Sequence, residues 1–206
     1  MAVKALYGEL WGKKPRMDDP TYWAVLEGDS RLDTPPYDHV EIFTDEVDRV
    51  TSRNTHAPIL DVGCNAGRLL QALYERGYAN LSGVDVQKAA LEHMARLFPD
   101  MAAKAHIKQA SFQEFFPAVA DRTFEVVCTW GATIELVPPA FPICQQMARV
   151  AGRAVIILIK ESGYSYPRLW ETEFLRAGFL LTRAKRPYRP GTDNSLLVFE
   201  RMAGVL

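Results

Sequence analysis

From residue 57 onward, apolar bursts of strand length alternate with amphipathic helical patterns. That alternation confines the chain to a mostly parallel sheet covered by helices on both faces. Five bursts form the spine: PILDVG at 58–63, LSGVDV at 81–86, HIKQA at 106–110, FEVVCTW at 124–130 and AVIILIK at 154–160. Between the first two, Leu69, Leu70, Leu73 and Tyr74 recur at helical spacing, and Gly77 stands where a left-handed C-cap belongs. Between the second and third, Ala90, Leu91, Met94, Leu97 and Phe98 repeat the pattern, which Pro99 ends. After the fifth, Pro167 suits the first turn of a helix carrying Leu169, Trp170, Phe174 and Leu175, closed by Gly178. FLLTRAKRPY and SLLVFER are strand-like runs joined by the turn-rich RPGTDN, so the sheet should end in an antiparallel hairpin. The expected fold is α/β: a doubly wound, seven-stranded, mostly parallel sheet with an antiparallel C-terminal strand and helices on both faces.

At 206 residues with 48% apolar side chains, the chain has the size and core of one domain. A formal charge of −1 with scattered basic residues provides no field for nucleic acid or an anionic membrane. RAKRPYR at 183–189 reads as a solvated strand edge. Cys64, Cys128 and Cys144 show no zinc-type spacing, so no metal is expected, and without a signal peptide or apolar span the expected location is cytoplasmic. Residues 1–56 stand outside the alternation and hold Trp11, Tyr22, Trp23, Tyr37 and Phe43, then a helical stretch, VEIFTDEVDRV. They are expected to form an arm or lid contributing to an acceptor pocket, or alternatively to mediate dimerisation, with the core at 57–206.

The loop after the first strand reads ILDVGCNAGRLL. In open parallel sheets a ligand lies beyond the carboxyl ends of the strands, so this loop borders the crevice. A dinucleotide fingerprint needs glycine at 63, 65 and 68, where this chain has Gly63, Asn65 and Arg68. No Gly-Lys-Ser/Thr ends the loop, so a P-loop is excluded as well. Asp61 repels an anion and attracts an ammonium or sulfonium. Asp85, 85 − 61 = 24 positions on, can accept hydrogen bonds from both hydroxyls of a ribose. These residues describe a nucleoside with a cationic tail. A nicotinamide oxidoreductase conflicts with Asn65.

ILDVGCNAGRLL with GVDV resembles motif I and the acidic second-strand end of class I S-adenosylmethionine-dependent methyltransferases. The resemblance extends over most of residues 57–200, including FEVVCTWGATIELVPP as the fourth strand and its loop. It implies that Asp61, Gly63, Asn65 and Gly67 surround the methionine portion of the cofactor, with Asp85 at the ribose and Val86 on the adenine face. The family often places an acid after the third strand for the adenine amino group. QASFQEF has Ser111 there, leaving the contact to Ser111 or to the backbone at Phe112.

The implied reaction is methyl transfer to an oxygen or nitrogen of a small molecule, since neither a large insertion nor an NPPY-type tetrapeptide is present. The alternative is a protein of the same fold that binds the cofactor and transfers nothing. Trp130 either borders the sulfonium or packs in the core. Glu135 reads as a base, a substrate contact or a solvated carboxylate, and His39 is the other candidate base. Tyr164, Tyr166, Arg168 and Trp170 follow the fifth strand and would wall the acceptor pocket, although core packing explains Trp170 equally well. Cys64 is assigned no chemistry.

Overall fold

The computed structural model describes residues 39–131, 133–161, 166 and 168–204. Its seven strands are β1 (Ile59–Val62), β2 (Leu81–Asp85), β3 (His106–Gln109), β4 (Phe124–Trp130), β5 (Ala151–Lys160), β6 (Phe179–Lys185) and β7 (Asn194–Arg201). They lie in the order β3-β2-β1-β4-β5-β7-β6. Pairs among β1 to β5 are parallel, and β7 runs antiparallel to both β5 and β6. The order reverses at β1, whose neighbours are β2 and β4, so a crevice opens beyond their carboxyl ends.

Alternation along each strand divides the core into two layers. Ile59, Val126, Cys128, Ala154, Ile156 and Leu158 face one side. There they meet α1 (Val40–Thr51), α2 (Arg68–Glu75), and Met94 and Met101 from α3 (Lys88–Leu97) and α4 (Pro99–Lys104). Leu60, Val62, Val127, Val155 and Ile157 face the other, covered by α6 (Ile143–Val150) and α7 (Trp170–Arg176). A short α5 (Phe112–Phe115) follows β3.

Pro99 does not simply end a helix. It occupies the first turn of α4, where its missing N–H costs nothing, so the second crossover is two helices. Gly77 and Gly178 take positive φ of 91° and 86°, as helix-ending glycines do. In the arm, 1–38 lies outside the described residues. The VEIFTDEVDRV stretch is α1, whose Phe43, Val47 and Val50 are fully buried in the first core layer. Along the basic run at the end of β6 and into the β6–β7 link, Arg183, Lys185 and Arg186 are exposed, whereas the neighbouring Tyr188 is buried. No helix among the described residues is long and apolar enough to cross a membrane.

Candidate active site

The turn after β1 is built on three left-handed residues, Gly63 (φ 76°), Asn65 (φ 46°) and Gly67 (φ 76°). Asparagine is among the few side-chain-bearing residues that adopt this region readily, and here Asn65 Oδ1 also accepts the Ala66 N–H at 2.7 Å. The N–H groups of Gly63 and Cys64 both donate to the Val84 carbonyl, at 2.8 and 3.1 Å, tying the turn to β2. A Cβ on Gly63 would overlap Cγ2 of Thr133 and lie 3.0 Å from its Oγ1. The loop after β4 therefore closes directly on this glycine. Gly67 serves helix packing: a Cβ there would lie 2.6 Å from Met94 Cγ and Sδ.

Asp85 ends β2 and braces the turn. Its Oδ2 accepts the Asn65 N–H and its Oδ1 the Gln87 N–H, both at 2.8 Å. Each carboxylate oxygen can accept a second bond, which leaves room for two ribose hydroxyls. Asp61 lies on the α1 and α2 side of β1, paired across the sheet with Gly83 and Cys128. It is only 2% exposed, and its buried Oδ1 has no hydrogen-bond partner among the described residues. Burial first, then repulsion from Asp85, pushes its carboxyl up to about 8. An orphaned buried acceptor beside a second carboxylate suits a cationic amine or sulfonium, so these residues fit the proposed donor.

Ser111 caps α5 in a capping box. Its Oγ donates to Glu114 Oε2 at 2.8 Å and accepts the Glu114 N–H at 3.3 Å. Its hydroxyl proton is thus committed to a helix cap. Phe112 and Val86 are both half-buried, and Phe112 packs against the second core layer.

In the loop after β4, Glu135 is no solvated carboxylate. It is 1% exposed, its Oε1 accepting the Lys160 N–H at 2.9 Å and its Oε2 the Thr133 N–H at 3.1 Å. It clamps the loop after β4 to the end of β5, because a buried carboxylate requires such donors. Trp130 packs its ring 5.2 Å from Phe43 and edge-on 5.6 Å from Tyr188, whose hydroxyl donates to the His39 carbonyl. His39 itself is exposed at the start of α1, with Nδ1 3.2 Å from Glu41. Arg168 donates to the Val137 carbonyl at 2.8 Å and pairs with Glu173, and Trp170 is buried in the core. Tyr166 is half-buried, and Tyr164 lies outside the described residues.

Residues 59–153 match the family model described as "Methyltransferase domain". In overall fold the chain is similar to magnesium protoporphyrin IX methyltransferase from Synechocystis PCC 6803. The TM-score is 0.64 with S-adenosylhomocysteine bound and 0.63 with S-adenosylmethionine, at 13% and 14% identity over 98% of both chains. The chain shares the fold of class I, Rossmann-like S-adenosylmethionine-dependent methyltransferases, and its match to the domain model runs over residues 59–153. A curated relative, the ubiquinone biosynthesis O-methyltransferase of Alkalilimnicola ehrlichii, is 31% identical over 112 residues, 52% of this chain and 44% of that protein. The chain thus spans less than half the length of that relative. The same methyltransferase fold also occurs in the cyclase SpnF, with a TM-score of 0.62 at 13% identity over 79% of this chain and 80% of that one.

Around the turn after β1, sequence reasoning missed Thr133 and Gly83. Thr133 carries no local signal, because its role depends on which loop the topology sets over Gly63. Gly83 lies beneath the turn, where a Cβ would come 2.8 Å from Cys64 Sγ. The Cys64 thiol is buried and raised by that burial and by the two aspartates, which keeps it unreactive. Glu114 was legible, since SFQE is a capping-box pattern.

The raised Asp61 carboxyl has a consequence for stability. Its folded value, about 8, lies above its ordinary value of about 4, so the folded state holds the proton more tightly. The stabilisation present below pH ~4 is lost as pH rises toward 8. Asp61→Asn is expected to flatten the fall in melting temperature of the ligand-free protein between pH 5 and 8. An unchanged slope in thermal scans across that window would show that Asp61 does not carry the effect.

Proposed function

We propose that this protein transfers a methyl group from S-adenosylmethionine to an oxygen or nitrogen of a small molecule, with oxygen favoured. The observation that carries the reading is the left-handed turn with the orphaned Asp61 carboxyl beneath it and Asp85 at its edge. The oxygen preference draws on the name of the curated relative, an O-methyltransferase. When bound, the donor supplies a methyl group already made electrophilic by its sulfonium.

This chain's residues then hold and align the reactants. Asp61 faces the positive charge, and Asp85 holds the ribose. Val86 and the backbone at Phe112 border the adenine, with Gly63, Asn65 and Gly67 shaping the turn. Trp130 and Tyr166 would line the acceptor side. Alignment of two bound reactants lowers a barrier by about 7–11 kcal/mol, so a strong base is not required. Glu135, with a backbone N–H on each oxygen, acts by positioning the loop after β4.

Calorimetric titration with S-adenosylhomocysteine, followed by a methyl-transfer screen over phenols, carboxylic acids and amines, tests this reading. Saturable binding with methylated product is expected; no binding would overturn it. Binding without product on any acceptor would favour a second reading, a cofactor-binding protein that transfers nothing. That reading draws support from the occurrence of this fold in a cyclase.

A further inference from the structure

At the end of the sheet remote from the crevice, where β5 begins and the antiparallel β7 ends, lies a cleft of about 380 Å³. Arg122, Arg153, Glu200 and Arg201 line it, with Gly152 and the 202–204 segment. Three arginines thus share the cleft with one carboxylate, Glu200. The Arg201 guanidinium lies on the Phe179 ring, 4.6 Å from its centroid. Its Nε donates to the Gly152 carbonyl at 3.1 Å and its Nη2 to the Ala148 carbonyl at 2.8 Å and to that of Ala151. Those partners are all carbonyls, and Nη1 makes no hydrogen bond among the described residues.

Arg122 has no ion pair or side-chain hydrogen bond among the described residues. It sits at a left-handed turn (φ 55°) anchored by its N–H on the Arg149 carbonyl. Arg153 is a loose 3.7 Å from Glu125. The acids nearby are engaged elsewhere. Glu200 accepts from Thr182 at 2.7 Å and pairs with Arg49 at 2.9 Å, while Asp121 is held by Arg149 at 2.7 Å. Burial, then repulsion from Arg122, makes Arg201 easier to deprotonate than an ordinary arginine, as expected where like charges face each other.

We propose that this cleft binds a phosphate group, with Arg122, Arg153 and the free edge of Arg201 as donors. Guanidinium forks match phosphate oxygens, and a dianion between them offsets the repulsion between Arg122 and Arg201. Phosphate reaches the cleft either as the free ion or as a monoester, for which a volume of about 380 Å³ leaves room. From Arg153 to Lys160 is seven steps along β5, about 23 Å at ~3.3 Å per residue, so the site is separate from the methyltransferase crevice. The proposal does not rest on the methyl-transfer reading.

Titration of the full chain with inorganic phosphate and with glycerol 3-phosphate at fixed ionic strength, followed by calorimetry and by amide shifts in NMR, tests it. Saturable binding is expected, with shifts at residues 122, 152–153 and 201–204. Arg122→Glu and Arg153→Ala should each weaken it at least tenfold, while Arg183→Glu on β6 changes it less than twofold. Tighter binding of the ester identifies a monoester site, and equal binding a site for the free ion; either supports the proposal. Failure to saturate by ~50 mM, or equal loss in the Arg183→Glu control, would overturn it. Unchanged S-adenosylhomocysteine affinity in the Arg122→Glu variant would establish that the protein is folded.

Discussion

Gly63→Val is expected to lower the melting temperature by roughly 5–20 °C and to abolish calorimetric binding of S-adenosylhomocysteine. Two independent strains add. A branched side chain held at φ 76° costs roughly 1–2 kcal/mol, because the left-handed region brings Cβ against the following carbonyl. The new side chain would also enter the space of Thr133, and overpacking of this kind costs roughly 1–3 kcal/mol. For a chain of this length each kcal/mol shifts the midpoint by about 2–4 °C. The double variant Gly63→Val, Thr133→Ala separates the two, since it relieves the clash and leaves the backbone strain. Partial recovery in the double variant is the expected result, and a single variant that melts within 2 °C of the parent would show that the turn tolerates a side chain.

Asp85→Ala is expected to weaken S-adenosylhomocysteine binding at least a hundredfold and also to destabilise the ligand-free protein. From sequence, Asp85 faces ribose hydroxyls and could also cap the following helix, and its loss is expected to change the fold little. The structure overturns that expectation, because the carboxylate also holds the N–H groups of Asn65 and Gln87. A hydrogen bond to a charged group contributes ~1.5–3 kcal/mol, so losing two costs roughly 3–6 kcal/mol before compensation. Compensation comes from Asp61, whose carboxyl is raised partly by Asp85 and ionises more easily without it. A net loss of about 2–4 kcal/mol in urea denaturation is the expected balance. Unchanged affinity would eliminate the ribose role, and unchanged stability would eliminate the bracing role.

The alternation of strand and helix patterns was legible because the central strands β1, β4 and β5 are buried on both faces and the helices that cover them on one, a local consequence of a two-layered core. The turn ILDVGCNAGRLL was legible for a related reason: left-handed backbone restricts residue choice, and a carboxylate at a strand end is a rare expense unless it has a partner. Glu135 illustrates what was not legible. Its neighbours in sequence suggest a loop carboxylate in water, yet its partners include the Lys160 N–H, 25 positions away, which only the pairing of β4 with β5 brings near. Trp130 is a similar case. Phe43 and Tyr188, on either side of its ring, come from α1 and from the β6–β7 link.

The amino-acid sequence by itself determined the sheet, its antiparallel ending and the glycine turn after β1, since these depend on periodicity and on backbone conformations that few residues adopt. Tertiary structure decided which groups meet. It set Thr133 over Gly63, Met94 against Gly67, α1 into the core and the arginines of β5 and β7 around one cleft. Such pairings join residues distant in the chain, and they follow from strand order and loop placement, which no local pattern encodes.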